Sequence, residues 1–207
     1  MDPVDGSAGK YRTAIDVKSL LDEQGLDLVI WATGAELAPP EVPISRQRGI
    51  RTVLELYEGK PEELADDIVI IGAGVVGCET AWHLASLGKS VRIVDAISEE
   101  EMLADEHPTN RTTLLRILGS EGVNILNDRS VVAIDEHGVT VRRSDGEEEH
   151  LSAAEIVIAT GFRPVAALGR LSACLSRQVR FRAIGDCTFP GNLHDAIHAG
   201  FNAGWEA

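Results

Sequence analysis

The chain has 207 residues, 44% of them hydrophobic, and a formal charge of −14. That size allows one large domain, or one domain and part of another, with the hydrophobic fraction of an ordinary globular protein. The acidic balance argues against nucleic acid or an anionic membrane as partner, no apolar run nears the ~18 residues of a membrane span, and the N-terminal MDPVDGSAGK lacks the apolar core of a signal peptide.

Residues 1–10 are polar and read as a loose lead-in. Val17–Gln24 can form a short helix, capped by Asp16 and stopped by Gly25. Asp27–Ala32 reads as a buried strand running into Thr33-Gly34. Pro39, Pro40 and Pro43 then prevent regular structure, as either an interdomain crossing or a surface loop. Val53–Glu58 is a brief helix. Ile68–Ile71 is an apolar run too short for a helix and fits a strand buried on both faces of a parallel sheet. A helix over Cys78–Leu87, stopped by Gly88, leads to a strand at Ser90–Val94. Pro108 opens a helix continuing to Leu118, with Leu114, Leu115 and Leu118 on one face, and Val123–Leu126 returns as a strand. The rhythm then changes to short strands at Val131–Ile134, Val139–Arg143 and Glu148–Leu151, the last two joined by a turn at Asp145-Gly146. This is a β-meander inserted in a parallel α/β domain. Ile156–Ala159 and Val179–Ile184 are the remaining strands, and Asn192–Trp205 the closing helix.

The chemistry is concentrated between Ile68 and Asp95. Gly72, Gly74 and Gly77 stand at G-x-G-x-x-G spacing directly between a strand and a helix. The first glycine permits the tight turn, the second lets the backbone approach a pyrophosphate, and the third lets helix and strand pack closely. Intervening Ala73, Val75 and Val76 present backbone N–H groups at the positive end of the helix dipole. Asp95 ends the next strand 23 residues after Gly72, where a carboxylate takes the ribose hydroxyls of an adenosine. A 2′-phosphate there would meet like charge, and the next charges are Glu99, Glu100 and Glu101, so NADH is expected over NADPH. Strand plus Ala-Thr-Gly occurs twice, at Ala32-Thr33-Gly34 and Ala159-Thr160-Gly161, which implies two nucleotide-binding units, one interrupting the other.

The remaining reactive residues point to no second chemistry. Cys78, Cys174 and Cys187 form no C-x-x-C pair, which disfavours a redox disulfide, zinc or an iron–sulfur cluster and leaves a reducing cytoplasm as the default location. Cys78 and Cys187 are expected as buried packing thiols, and Trp82 and Trp205 as core or interface aromatics. His194 and His198 have helical i, i+4 spacing, but no motif completes a metal site around them.

VIWATGAELAPP, VIIGAGVVGCETAWHLASLG, IVIATGFRP and IGDC…DAIHAGF occur in that order. Together they resemble the C-terminal FAD/NAD(P)-binding region of the old-yellow-enzyme-like NADH:flavin oxidoreductases. That group includes 2,4-dienoyl-CoA reductase, 2-enoate reductase and the trimethylamine, dimethylamine and histamine dehydrogenases. Asp195–His198 favours this group over the general pyridine-nucleotide disulfide reductases. The resemblance implies that Gly72, Gly74 and Gly77 hold the NAD pyrophosphate, that Glu79 lies near the nicotinamide, and that Asp95 takes the adenosine ribose. It also implies that Ala159-Thr160-Gly161 closes the NAD domain. Ala32-Thr33-Gly34 and Gly185-Asp186 would belong to an FAD domain, with Asp186 on the ribityl chain.

The expected fold is therefore α/β: a Rossmann-like three-layer NAD(P)-binding domain with a β-meander over 67–164, plus part of a second FAD-type domain in two pieces, 1–40 and 165–207, with 41–66 a connector. The FMN barrel, cluster cysteines and FAD G-x-G-x-x-G of a complete family member are not in this sequence. The expectation is an incomplete fragment without independent turnover, unable to retain FAD alone. Its unpaired strand edges would lead to a homodimer or aggregation. Three functions follow: an NADH-binding domain delivering hydride to a flavin, a non-catalytic ADP/NAD-binding module, or an accessory subunit completed by a barrel-containing flavoprotein chain.

Overall fold

The computed structural model describes residues 27–165 and 180–206; the helix expected over Val17–Gln24 and the third cysteine, Cys174, lie outside them. The chain divides into two units, Leu37–Phe162 and a second made of Met1–Glu36 with Arg163–Ala207.

The larger unit is built on five parallel strands: β3 (Ile50–Thr52), β4 (Asp67–Ile71), β5 (Ser90–Val94), β6 (Asn124–Leu126) and β10 (Glu155–Ile158), in the order β3-β10-β4-β5-β6. Three helices accompany them: α1 (Val53–Glu58), α2 (Val75–Ser86) and α3 (Pro108–Ser120). A separate antiparallel sheet of β7 (Arg129–Asp135), β8 (Gly138–Arg143) and β9 (Glu148–Ser152) is the expected meander. Its Asp145-Gly146 turn is closed by the Gly146 N–H to Arg143 O at 2.9 Å.

The period-2 geometry of a strand explains the unbroken apolar run of β4. Ile68 and Ile70 face one layer and pack with Cys78, Ala81 and Leu84 of α2 and Leu118 of α3. Val69 and Ile71 face the other and pack with Ile134, Val139 and Val141 of the meander. With both sides covered, Ile68, Val69 and Ile70 are fully buried. The result is the three-layer α/β arrangement read from the sequence.

The structure departs from the sequence reading at three points. Helix α2 starts at Val75, three residues before the expected Cys78, because Gly74 serves as its cap in extended backbone and needs no side chain to do so. Residues 41–66, read as a connector, contain the edge strand β3, whose Thr52 forms a capping box with Glu55 and so starts α1. Within the same stretch, the Ile134 N–H donates to Pro43 O at 2.9 Å and the Ser45 N–H to Ile134 O at 3.0 Å, pinning the proline segment to the meander. The chain passes between units at Glu36-Leu37 and Phe162-Arg163, where short strands β2 (Ala35–Leu37) and β11 (Phe162–Pro164) pair.

In the second unit, β1 (Leu28–Trp31) and β12 (Arg180–Ala183) lie parallel, with Trp31 opposite Ala183. The strand expected as buried is only half-buried, and Ile30 is 43% exposed, since β12 is its one strand neighbour among the described residues. Helix α4 (Leu193–Trp205) starts from a capping box between Asn192 and Asp195. Its Leu193, Ile197, Phe201 and Trp205, four residues apart, are each at least 60% exposed. No helix among the described residues is long and apolar enough to cross a membrane.

Two-sided burial of β4 makes a definite demand. Ile70→Ala should lower the unfolding free energy by about 2–5 kcal/mol in a denaturant titration, because neither covering layer can close the gap fully. A loss below about 1 kcal/mol would contradict the packing described.

Candidate functional site

Strand order decides where a ligand can sit. From β4 the chain steps outward to β5 and β6, then returns to place β10 on the other side of β4. The carboxyl ends of parallel strands on the two sides of such a reversal flank a crevice. A cavity of about 650 Å³ lies there, lined by Gly72 after β4, Asp95 after β5 and Ala159-Thr160 after β10. Gly74, Val75 and Val76 at the head of α2, and Gly161, line it too.

The three glycines of the loop have distinct jobs that can now be read as distances. A Cβ on Gly77 would stand 2.0 Å from the Gly72 carbonyl oxygen, and one on Gly72 would stand 2.3 Å from Ala159 O. Gly72 also has φ +114°, a conformation that L side chains rarely adopt. These two positions let the loop, α2 and β10 pack directly. Gly74 differs: a Cβ there would meet nothing within 4 Å, because it would project into open space. Its lack of a side chain keeps the cradle free beside the first turn of α2, which has no side-chain cap. N–H groups of a first helical turn have no intrahelical acceptor, so they and the helix dipole are set to receive an anion. A dinucleotide pyrophosphate fits this cradle.

Asp95 binds the loop to β5. Its Oδ2 accepts the Ala73 N–H at 2.5 Å and its Oδ1 the Ile97 N–H at 3.2 Å, fixing both turns that border the cavity. A carboxylate has about four lone-pair sites, so capacity remains for ribose hydroxyls. Across the cleft, the Thr160 hydroxyl donates to Ala38 O, and the Ala38 N–H to Gly161 O at 3.0 Å. The Ala159-Thr160-Gly161 segment thereby ties the end of β10 to the proline-rich stretch, whose Pro40, Glu41 and Val42 also line the cavity.

Ala73 and Gly77 are buried just behind the lining, as supports. Glu79 is exposed and lies apart from the cleft, in a depression of about 350 Å³ between α2 and α3 beside Trp82 and Arg111. Ala32-Thr33-Gly34 and Gly185-Asp186 belong to the second unit, where they leave the adjacent ends of β1 and β12. Asp186 Oδ1 there accepts the Gly191 N–H at 3.2 Å.

The thiols are packing groups. Burial, then the Asp95 and Glu79 carboxylates, push Cys78 up to about 12, so it stays protonated, and its Sγ donates to Ala73 O at 3.3 Å. Cys187 is buried, with Sγ 3.2 Å from Trp31 O and 3.0 Å from Ile184 O. Trp82 and Trp205, at 42% and 81% exposure, are not core residues. The His194 and His198 rings lie 4.2 Å apart, and no metal-binding group of three ligands occurs among the described residues.

Several lining residues escaped the sequence reading, one of them a cation. Arg129 lines the cavity from the start of β7, 34 residues beyond Asp95. Its signal was topological: β6 is the next strand of the same sheet, so the turn after it borders the same crevice. The proline segment was missed for want of any signal, since its place depends on pairing with Ile134.

A family model, pyridine nucleotide-disulphide oxidoreductase, matches residues 4–178. An NADH oxidase of Thermoanaerobacter brockii is 29% identical over 184 residues, 87% of this chain and 28% of that protein. Among solved structures, a 2-naphthoyl-CoA reductase complex is similar at TM-score 0.75 and 24% identity, over 87% of this chain and 27% of that one. A histamine dehydrogenase from Rhizobium sp. 4-9 is similar at TM-score 0.75 and 18% identity, over 94% and 32%. The likeness to these two structures is one of fold. The chain spans less than a third of the length of the NADH oxidase, a metal reductase and a bilirubin reductase that it matches.

The glycine geometry separates packing from binding. Gly77→Ala should destabilise the fold by about 1–3 kcal/mol, because backbone must move to admit the methyl group. Gly74→Val should leave the melting temperature nearly unchanged yet abolish dinucleotide binding. Equal effects of the two variants on melting and on binding would contradict the assignment.

Proposed function

The chain belongs to the pyridine nucleotide-disulphide oxidoreductase family, and from that premise we propose that it is the NADH-binding part of a flavin-dependent oxidoreductase. The observation that carries this reading is the cradle at Gly74: open space beside a helix start without a side-chain cap, at the point where the strand order reverses. When bound, NADH supplies a hydride that a flavin can accept. Gly72, Gly74 and Gly77, with the N–H groups around Val75 and Val76, hold the pyrophosphate. Asp95 receives the adenosine ribose, while Ala159, Thr160 and Gly161 form the opposite wall. Glu79 stays a candidate for the nicotinamide side, from a flank of α2 outside the cleft.

FAD is the flavin of the complete parent enzyme in this proposal. Ala32-Thr33-Gly34 and Gly185-Asp186 leave neighbouring strand ends and can reach its ribityl and ring portions. The sequence has a single G-x-G-x-x-G, whose Ala73 N–H Asp95 accepts, and this proposal gives that loop to NADH. A parent of the 2,4-dienoyl-CoA/2-enoate reductase or amine dehydrogenase type is supported by the order of the motifs and by Asp195–His198. A second reading is a binding part completed by a barrel-containing flavoprotein chain or domain; the greater length of the relatives supports it.

Two outcomes are expected. NADH should bind more tightly than NADPH by roughly tenfold to a hundredfold, since a charge-assisted bond to Asp95 favours the free diol by about 1.5–3 kcal/mol. Asp95→Ala should narrow that gap in parallel titrations, and equal or tighter NADPH binding by the wild-type chain would contradict the role of Asp95. The purified chain should also be colourless and take up no stoichiometric FAD when it is added. A flavin absorbance spectrum surviving gel filtration would overturn this, and light scattering should report association rather than a strict monomer.

A further inference from the structure

The end of the cleft that holds Asp95 also holds a cation. The Arg129 N–H donates to the Asp95 carbonyl at 2.9 Å, so the two residues are bonded backbone neighbours, and both line the cavity. The guanidinium is held but under-used. Nη1 donates to Asn127 O at 2.8 Å, Nε is buried without a hydrogen-bond partner, and the Glu149 carboxylate lies 3.9 Å from Nε. That last distance is an ion-pair contact and not a hydrogen bond. With five N–H donors and one of them placed, the side chain can still bind an anion, and it is 21% exposed.

Nearby cations have other tasks. Lys89 Nζ donates to Leu64 O at 2.6 Å and pairs with Asp66 at 3.0 Å, both before β4. Arg92 pairs with Asp67 at 2.6 Å, and Arg111 donates to the carbonyls of Met102 and Glu99. Among the described residues, Arg129 is the one cationic side chain lining the cleft. Asp95, for its part, already accepts two backbone N–H groups, which offset some of its charge.

Resting on the dinucleotide reading above, we propose that Arg129 is a specificity-determining residue, facing the 2′-position of the adenosine ribose, through which the site still admits the 2′-phosphorylated dinucleotide. A phosphate of roughly −1.5 to −2 charge would be repelled by Asp95 alone. A planar guanidinium matches phosphate geometry and keeps its charge at any working pH. The preference for NADH is therefore bounded: Asp95 favours the diol, and Arg129 limits the penalty on the phosphate.

The test uses the full chain, wild type and with Arg129→Gln or Arg129→Lys, titrated with NADH, NADPH, ADP and 2′,5′-ADP, with melting followed for each variant. Arg129→Gln should weaken NADPH and 2′,5′-ADP by about tenfold or more, while NADH and ADP stay within about twofold. Arg129→Lys should restore part of the lost binding. Equal weakening of all four ligands, with a lowered melting temperature, would reduce Arg129 to a support for the cleft wall and overturn the proposal. No change in any ligand would overturn it as well. A wild-type chain that binds none of the four would instead defeat the dinucleotide reading itself.

Discussion

Everything in the larger unit depends on one close approach: the passage of α2 over the carbonyl of Gly72. No side chain fits between Gly77 and Gly72, or between Gly72 and Ala159, so the loop, the helix and β10 touch through backbone. That contact fixes the start of α2 at Val75 and aims its first turn along the ends of β4 and β10. It also explains why the neighbouring residues are small or apolar. Cys78 sits one turn into the helix, with its thiol against Ala73 O, and serves as a space-filling group.

Around that contact the sheet separates two kinds of work. One face is covered by helices and the other by the meander, and the two buried clusters share no residue. The meander does more than shield the sheet. Its first strand begins with Arg129, bonded to the Asp95 backbone, and Ile134 further along pairs with the proline segment. At the other, amino end of β10, Arg46 donates to Ala153 O at 2.9 Å and to Ala154 O. Two segments distant in sequence thus form the cleft wall facing the glycine loop. The glycine loop reads phosphates in any such fold.

Much of this was legible in the sequence because it is local. Strand β5 spans Ser90–Val94 as read, and the Asp145-Gly146 turn and the meander follow from short strands and turn residues. The G-x-G-x-x-G spacing, set between a strand and a helix, located the cleft. What could not be read depends on pairing across the chain. Strand β3 has only Ile50, Arg51 and Thr52, and owes its existence to hydrogen bonding with β10 more than a hundred residues later. The position of Glu79 was also opaque: its spacing from Gly77 is clear, but the side of α2 it occupies depends on how α3 packs. Arg129 is remote from Asp95 in sequence, and only the pairing of β5 with β6 brings the turn after β6 beside it.

The central claim is that the crevice at the carboxyl ends of β4, β5 and β10 is where the nicotinamide dinucleotide binds. The most direct measurement is a two-dimensional amide spectrum of the isotope-labelled chain, recorded as NADH is added. The account predicts saturable shifts at Gly74, Val75, Val76 and Gly77, at Asp95, and at Thr160 and Gly161, with Leu84 and Leu118 in the helical layer unmoved. Shifts centred on Trp82, Asn110 and Arg111 between α2 and α3, or none at all at the glycine loop, would contradict it.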